Sequence, residues 1–555
     1  MVKFDETKVN KKIAELHKKE EEELANILSN KYGLQYIDLS GVPINTDALQ
    51  IITEKTSKEA QMAIFKKVDK KLSIAVRSPN NKKATEVIKE LEERGYILTL
   101  FMASSNSIEH AIKRYADISF AVKTETGMLD ISGEEIRSIL NSIKSVEDIK
   151  KIVDETLKMK KFHKISRILE VILAGGLSQE ASDIHIEPEE GDARLRYRLD
   201  GVLVDITNIN RETYDLLLSR IKLVSGLKLN LKNKAQDGRF SVKINESDIE
   251  IRTSMLPDAY GESMVMRILN PNTISLSMED LGIEKKLFEV LEKEIGKPNG
   301  MILTTGPTGS GKTTTLYAFL RKIQTPEKKI ITIEDPIEYH LPGIVQTQTD
   351  GKNYTFSNGL RSTLRQDPDI IMVGEIRDED VASTAINAAL TGHLVFSTLH
   401  TNNAAGSFPR LIDLGVNPKI ISSAVNIVIA QRLIRKLCKS CKKQVELEGV
   451  KKKLINKILE TIVDKENVTE NISTIWEALG CDKCNNTGYR GRIGIYEAVI
   501  MDEKIESLVK NSASEREIQD AAVSQGVLNM SQDGVLKVLK GITSLDELER
   551  VVELV

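Results

Sequence analysis

Two rhythms of apolar and polar positions dominate the chain. From about residue 282 onward, near-continuous apolar runs (Met301–Thr305, Ile330–Ile333, Ile370–Val373 and Leu394–Thr398) alternate with helical stretches, and each run ends in polar residues. This alternation predicts an α/β fold: a parallel sheet covered by helices, with chemistry collected at the carboxyl ends of its strands. Upstream, Arg194-Leu195-Arg196-Tyr197-Arg198-Leu199 alternates charge with apolar side chains, as a half-exposed antiparallel strand does. Ser182–Glu187, Gly201–Val204, Arg239–Val242 and Ile249–Arg252 read as its companions. Before them Ile165, Ile168, Leu169, Ile172 and Leu173 mark a helix predicted to stop at Gly175-Gly176. Nearer the N-terminus, Ile13, Leu16, Leu24, Ile27 and Leu28 surround the charged run Lys18–Glu23 and predict a surface helix. Strands at Tyr36–Leu39 and Leu72–Val76, with helices near 55–65 and 81–94, form a small α/β or α+β module ending near Tyr115. The Ser-, Glu- and Lys-rich stretch at about 120–160 reads as a linker carrying one or two helices.

Composition narrows the class. A chain of 555 residues exceeds one core and divides into roughly three or four domains. With 41% hydrophobic and 29% charged residues, usage is that of soluble globular proteins. A net charge of −3, a single Trp and 4% aromatics argue against a nucleic-acid partner. No apolar stretch approaches the roughly 20 residues that span a bilayer, and Met1–Glu6 lacks a signal peptide's apolar core. The chain is therefore expected in the cytoplasm, without direct membrane insertion.

The strongest chemical signal is Gly306-Pro307-Thr308-Gly309-Ser310-Gly311-Lys312-Thr313, directly after an apolar strand and opening a helix from Thr314. Such a turn aims several backbone N–H groups, and the positive end of a helix dipole, at one point, where phosphates bind. Lys312 is expected on the β- and γ-phosphates and the Thr313 hydroxyl on Mg²⁺, which makes the chain a binder of a nucleoside triphosphate, ATP. The alternative, a glycine-rich turn without a ligand, does not explain why strand, loop and helix occur together.

Splitting ATP needs a carboxylate to activate water. Glu334-Asp335-Pro336-Ile337-Glu338 offers three acids at one strand end, and spacing cannot choose among them. The next strand ends in Gly374-Glu375, with glycine where many such loops carry Asp, so Glu375 is the only carboxylate at that tip. His393 and His400 bracket the following strand, with His400 at its carboxyl end, where it could sense the γ-phosphate. Arg239 and Arg252 lie outside this region and by themselves read as a solvated face. All four cysteines form two pairs, Cys438-x-x-Cys441 and Cys481-x-x-Cys484, a spacing suited to structural Zn²⁺ on four thiolates. Buried thiols or a redox pair are the alternatives. The residues between the pairs should form an insertion whose Leu454, Ile455, Ile458, Leu459 and Ile462 recur at helical spacing.

Taken together, the phosphate loop, the aspartate box Ile331–Glu338, the Walker B variant Ile370–Glu375, the histidine box Thr391–His400 and the cysteine pairs resemble the secretion-superfamily ATPases. These assemble type IV pili or drive type II secretion. Ser182–Pro188, Gln236–Arg239 and Gly488–Arg492 match as well, so the resemblance covers about 160–555. It implies a RecA-like, ATP-hydrolysing core at 282–435, preceded by a PAS-like α+β subdomain at 161–275. Residues 436–500 would be the zinc subdomain, 501–555 a C-terminal helical subdomain, 119–160 a linker and 1–118 a type II secretion-like docking module. By the same resemblance Glu338 is the catalytic glutamate, Glu375 the water-mediated magnesium group, and Thr314 and His393 join the nucleotide-binding set. Arg239 and Arg252 would reach nucleotide across a subunit boundary of a homohexamer. Its partners would be an inner-membrane platform protein and a membrane-anchored docking protein, which places it on the inner face of the cytoplasmic membrane. Some members carry an N-terminal cyclic di-GMP motif opening with Arg-Leu-Gly, and that opening does not occur here. Retraction ATPases of pili typically lack both the N-terminal module and the cysteine site. The implied function is a pilus assembly motor, with a type II secretion motor as alternative and a DNA translocase more remote.

Overall fold

The computed structural model describes residues 20–42, 44–49, 51–68, 70–117, 122–123, 129–130, 133–140, 142–143, 145–158, 161–244, 247–270, 276–465 and 473–554. It divides into two units, Met1–Ser132 with Lys160–Ser166, and Gly133–Met159 with Arg167–Val555. Among the described residues no helix is long and apolar enough to cross a membrane.

In the first unit, strands β1 (Gln35–Tyr36), β2 (Met62–Val68), β3 (Lys71–Val76) and β4 (Ile97–Met102) form one sheet in the order β1-β4-β3-β2. β2 and β3 are antiparallel, and α1 (Lys82–Glu93) carries the chain across to β4, parallel to β3. Alternate strand residues bury both faces: Met62, Ile64, Leu72 and Ile74 pack with Val87 and Leu91 of α1. Ala63, Phe65 and Ala75 pack with Ile108 and Ala111 of α2 (Ser105–Lys113). The unit is thus α/β. The helix expected near 55–65 covers only Glu54–Ala60, because Gln61 turns left-handed at φ 48° and β2 begins at Met62. Helix 20–32 is present, but it buries Ala25 and Ser29 and exposes Leu24 and Ile27. Ile13 and Leu16 lie outside the described residues.

In the second unit, residues 167–178 of the helix α3 (Lys161–Ser178) run through Gly175 and Gly176 where the sequence predicted a stop. Both glycines face the sheet: a Cβ on Gly175 would sit 2.7 Å from the Tyr197 hydroxyl, and one on Gly176 2.8 Å from Ile184. They are there for close packing, not for termination. The sheet contains β5 (Asp183–Pro188), β6 (Asp192–Leu199), β7 (Val202–Asn210), β8 (Gln236–Ile244), β9 (Ser247–Asp258) and β10 (Gly261–Leu269). It is antiparallel throughout, in the order β8-β9-β10-β5-β6-β7. β10 escaped the sequence reading because Glu262 stands at one of its inward positions. Burial of Glu262 is offset by Lys222, whose ammonium is 2.6 Å from the carboxylate. Register sets Arg239, Arg252, Arg267, Asp183 and Arg198 side by side across five strands, on one face.

The remaining sheet is built from β11 (Gly300–Thr305), β12 (Ile330–Glu334), β13 (Val345–Gln348), β14 (Ile370–Val373), β15 (Leu394–Leu399), β16 (Val425–Leu437) and β19 (Tyr489–Ile500). Its order is β13-β12-β14-β15-β11-β16-β19; all pairs are parallel except β16 with β19. Every residue of β11, β12, β14 and β15 is buried, as central strands covered on both faces must be. Apolar layers lie on both sides, one including Leu316, Phe319 and Phe396, the other Ile371, Ile386 and Phe408. Between β16 and β19 the chain makes an excursion with strands β17 (Lys443–Glu446) and β18 (Thr474–Glu477) and the helix α4 (Gly449–Glu460). In α4, Ile455, Ile458 and Leu459 are buried, at the spacing the sequence displayed.

Candidate active site

β11 ends at Thr305, and the phosphate loop leads straight into the helix α5 (Lys312–Ile323). Two glycines are indispensable to its path. Gly306 has φ 143°, and a Cβ there would lie 2.5 Å from the Gln431 carbonyl; Gly311, the helix N-cap, has φ 92°. Gln431 on β16 also donates from Nε2 to the Ser310 carbonyl at 2.7 Å, so the neighbouring strand holds the loop from behind. Lys312 folds back on the loop it belongs to, donating to Gly306 O at 2.8 Å and Pro307 O at 3.1 Å. Burial lowers its pKa, and the nearby Glu375 opposes that shift. A lysine in this position is ready to exchange two carbonyls for phosphate oxygens.

The acids that spacing left equivalent are separated by the fold. Glu334 is 3% exposed and accepts hydrogen bonds from the Tyr317 hydroxyl, from Thr332 Oγ1 at 2.5 Å and from Gln346 Nε2 at 3.1 Å. Its carboxyl pKa is raised, burial being the main cause. It ties β12 to α5 and has no face for water. Asp335 lies 3.8 Å from Arg377. Glu338 is half-buried and stands 3.6 Å from Arg252 Nη1, while Arg252 Nη2 donates to the Ile337 carbonyl at 2.5 Å. Arg252 therefore meets the aspartate box of its own chain, whereas the sequence reading placed it across a subunit boundary. Arg239 is not brought along: it is 69% exposed and faces Glu250 at 3.9 Å.

At the tips of β14 and β15, Glu375 pairs with Arg377 and lies 3.5 Å from His400 Nε2. Burial lowers the His400 pKa, and the positive Lys312 adds to that effect. Glycine at 374 has a packing reason: a Cβ would come within 3.2 Å of Ile333 O and 3.3 Å of Phe356. His393 is elsewhere. It precedes β15 at the amino end, about 20 Å along the strand from Leu399 at ~3.3 Å per residue, and its Nδ1 is 3.0 Å from Ala388 O. At the carboxyl ends of the central strands the structure brings Lys312, Glu375 and His400 together and sets Glu338 beside Arg252, and it leaves out His393 and Arg239. Sequence reasoning missed Gln431 and Arg432, although Val425–Ala430 followed by two polar residues repeats the signature of the strands it did find.

The four cysteines converge, their Sγ atoms all within 4.8 Å of one another. Measured separations are 3.9 Å for Cys438–Cys481, 3.8 Å for Cys441–Cys484 and 3.7 Å for Cys481–Cys484. A tetrahedron with Zn–S bonds of about 2.3 Å has edges of about 3.8 Å, so the donor set fits zinc. Backbone N–H groups of Cys481 and Gly488 point at the Cys484 sulfur at 3.2 and 3.3 Å, as they do around thiolates. Asn485, next in the chain, accepts from Val146 N at 3.1 Å and donates to Gln179 at 2.8 Å.

Comparison with known proteins places these features among relatives. A family described as "Type II/IV secretion system protein" matches residues 158–550, and the MshEN domain matches residues 32–121. The chain is 35% identical over 95% of its length to the type IV pilus assembly ATPase PilB of Myxococcus xanthus, covering 90% of that protein. It is 41% identical over 76% of its length to the type II secretion system protein E of Pseudomonas aeruginosa, covering 81% of it. Among solved structures, the ATPase DotB of Legionella pneumophila is similar with a TM-score of 0.48 and 22% identity, over 69% of this chain and 94% of that one.

Proposed function

The chain belongs to the type II/IV secretion system protein family, and from that premise we propose that it is the motor that assembles a type IV pilus, driven by ATP hydrolysis. It is an ATPase of that family, and the observation that carries the mechanism is the gathering of two groups, Lys312 with Glu375 and His400 and Glu338 with Arg252, at the carboxyl ends of the central strands. In this reading the loop N–H groups of 306–313 and Lys312 receive the phosphates, Lys312 leaving its two carbonyls to do so. Magnesium, when bound, would neutralise phosphate charge, with the Thr313 hydroxyl as ligand and Glu375 holding it through water. Glu338 orients the attacking water and takes its proton, while Arg252, from the same chain, faces charge developing on the γ-phosphoryl group. His400, steered by Glu375, hydrogen-bonds that group and registers its loss. His393 and Arg239 have no part in this set.

The cysteine cluster would bind one structural zinc. The motor would work as a homohexamer at the cytoplasmic membrane, pushing pilin-like subunits through a platform protein, with the N-terminal unit engaging a docking or regulatory partner. The pilus reading is favoured because likeness to the pilus assembly relative spans nearly the whole chain. A type II secretion motor is the second reading, supported by the higher identity to the secretion relative over a shorter span. The test is Lys312→Ala in the native gene copy, with surface filaments and secreted protein scored in parallel. Loss of filaments with secretion intact is expected; lost secretion with intact filaments would establish the second reading. Survival of both would refute the motor.

A further inference from the structure

Three of the buried side-chain polar atoms without a hydrogen-bond partner among the described residues sit at the back of the phosphate loop: Ser310 Oγ, Gln431 Oε1 and Arg432 Nη1. Arg432 extends from β16, the strand beside the phosphate-loop strand, and its Nη2 donates to the Asn402 carbonyl at 3.1 Å. Asn402 belongs to the loop Thr401–Gly406, which begins directly after His400. Burial lowers the Arg432 pKa, and the carboxylate opposing that is Glu497. Glu497 is on β19, in the same transverse row as Leu399, Thr305 and Ala430. Its two oxygens accept from Ala404 N at 2.9 Å and from Met530 N at 3.3 Å.

The first four residues of this short loop are each held by a different element. Thr401 N donates to Thr305 Oγ1 at 2.8 Å, on the strand that leads into the phosphate loop. Asn402 is held by Arg432, Asn403 donates to Glu515 at 2.6 Å, and Ala404 is held by Glu497. A half-buried guanidinium with one nitrogen shut off from water and a largely desolvated carboxylate are costly to install beside a loop, and hydrophobic residues would hold it for less. Charges at both ends fix the loop in two directions, which apolar contacts cannot do.

We infer that Arg432 and Glu497 are positioning residues of the ATPase site: they clamp Thr401–Gly406, and through it His400, in fixed relation to the phosphate loop. This rests on the ATP-hydrolysing reading of the site. The clamp acts after nucleotide has bound, so it governs turnover more than affinity. Through Met530 N and Glu515 the same loop is tied to the C-terminal helices, so a displacement at His400 is passed to them.

The test is steady-state phosphate release by the full-length protein, with ATP varied, on Arg432→Gln, Arg432→Lys, Glu497→Gln and the Arg432→Gln/Glu497→Gln pair. Misplacing a catalytic group by an ångström costs about a hundredfold, so kcat should fall about 10–100-fold while KM stays within about threefold. Arg432→Lys should recover part of kcat, and the double variant should be no worse than the more severe single one. Unchanged kcat, a raised KM at unchanged kcat, or single effects that multiply in the double variant would each overturn the inference. Should the buried variants not fold, Glu515→Ala on the exposed side of the loop decides. It should speed amide exchange at Ala404 and Gly406 and lower kcat about threefold, by part of the same displacement; no change in either overturns the clamp. Lys312→Ala run alongside keeps the two readings apart: hydrolysis surviving there would overturn the ATPase site and the clamp with it, whereas hydrolysis lost there but unchanged in the Arg432 and Glu497 variants would overturn the clamp alone.

Discussion

Glu334 and Glu338 stand four residues apart in one sequence box, and replacing each by glutamine should produce opposite phenotypes. At Glu338 the side chain touches only Arg252 among the catalytic set and is partly exposed, so an isosteric amide costs little stability. It removes the group that takes the proton from water, an effect of about 10²–10⁴ on turnover. ATP binding, which rests on Lys312 and the loop, should survive. At Glu334 the ledger is structural. The carboxylate accepts three hydrogen bonds, from Tyr317, Thr332 and Gln346, and bonds to a charged acceptor contribute about 1.5–3 kcal/mol each. An amide keeps one acceptor oxygen for Thr332 and Gln346 and turns an N–H₂ toward the Tyr317 hydroxyl, which can reverse to accept. Relief of a desolvated charge offsets part of the loss, because burial already raises the Glu334 pKa. The net cost should be about 1–3 kcal/mol, or about 2–12 °C in Tm at ~2–4 °C per kcal/mol. The assay pairs differential scanning calorimetry with phosphate release and a nucleotide-binding titration. Should Glu334→Gln abolish turnover at unchanged Tm while Glu338→Gln turns over normally, the assignment of roles is reversed.

Two further outcomes follow from the geometry. His400 has a lowered pKa, from burial first and the neighbouring Lys312 second, so the folded protein holds its proton more weakly than the unfolded chain does. Its contribution to stability is complete above the ordinary histidine value of about 6.5 and is lost as pH falls through the lower folded value. An NMR titration assigned with His400→Gln should give a midpoint below 6.5, and one at or above it would contradict the placement beside Lys312. Purified protein should carry one zinc per chain, lost in Cys481→Ser. Because Asn485 holds Val146 N, the first residue of the helix Val146–Leu157, and also Gln179, metal removal should speed amide exchange near Val146; zinc-free protein with unchanged exchange there would break the link between the cluster and that helix.

Strand identity in the ATPase sheet was legible because β11, β12, β14 and β15 are buried on both faces, and such strands must be apolar throughout. The phosphate loop was legible because its chemistry is local: one turn needs those glycines, that lysine and that helix start. β10 was not, since Glu262 at an inward position becomes tolerable only beside Lys222, 40 residues away in the sequence. Gly175-Gly176 were misread for a related reason. Glycine ends helices when the backbone must turn left-handed, but here it makes room for Tyr197 and Ile184, partners that local pattern cannot name.

By itself the sequence determined what depends on near neighbours: the strand–helix alternation, the phosphate cradle, the four cysteines in two equal pairs and the acids at the strand tips. Tertiary structure alone decided which of those groups work together. It buried Glu334 under three donors and left Glu338 beside Arg252. It also gave glycine at 374 a packing cause and drew Arg432 and Glu497 to the loop after His400. The physical reason is range. Backbone preference and apolar periodicity act over a few residues, whereas hydrogen bonds, ion pairs and burial act over a few ångströms, and only the folded sheet brings distant residues within those.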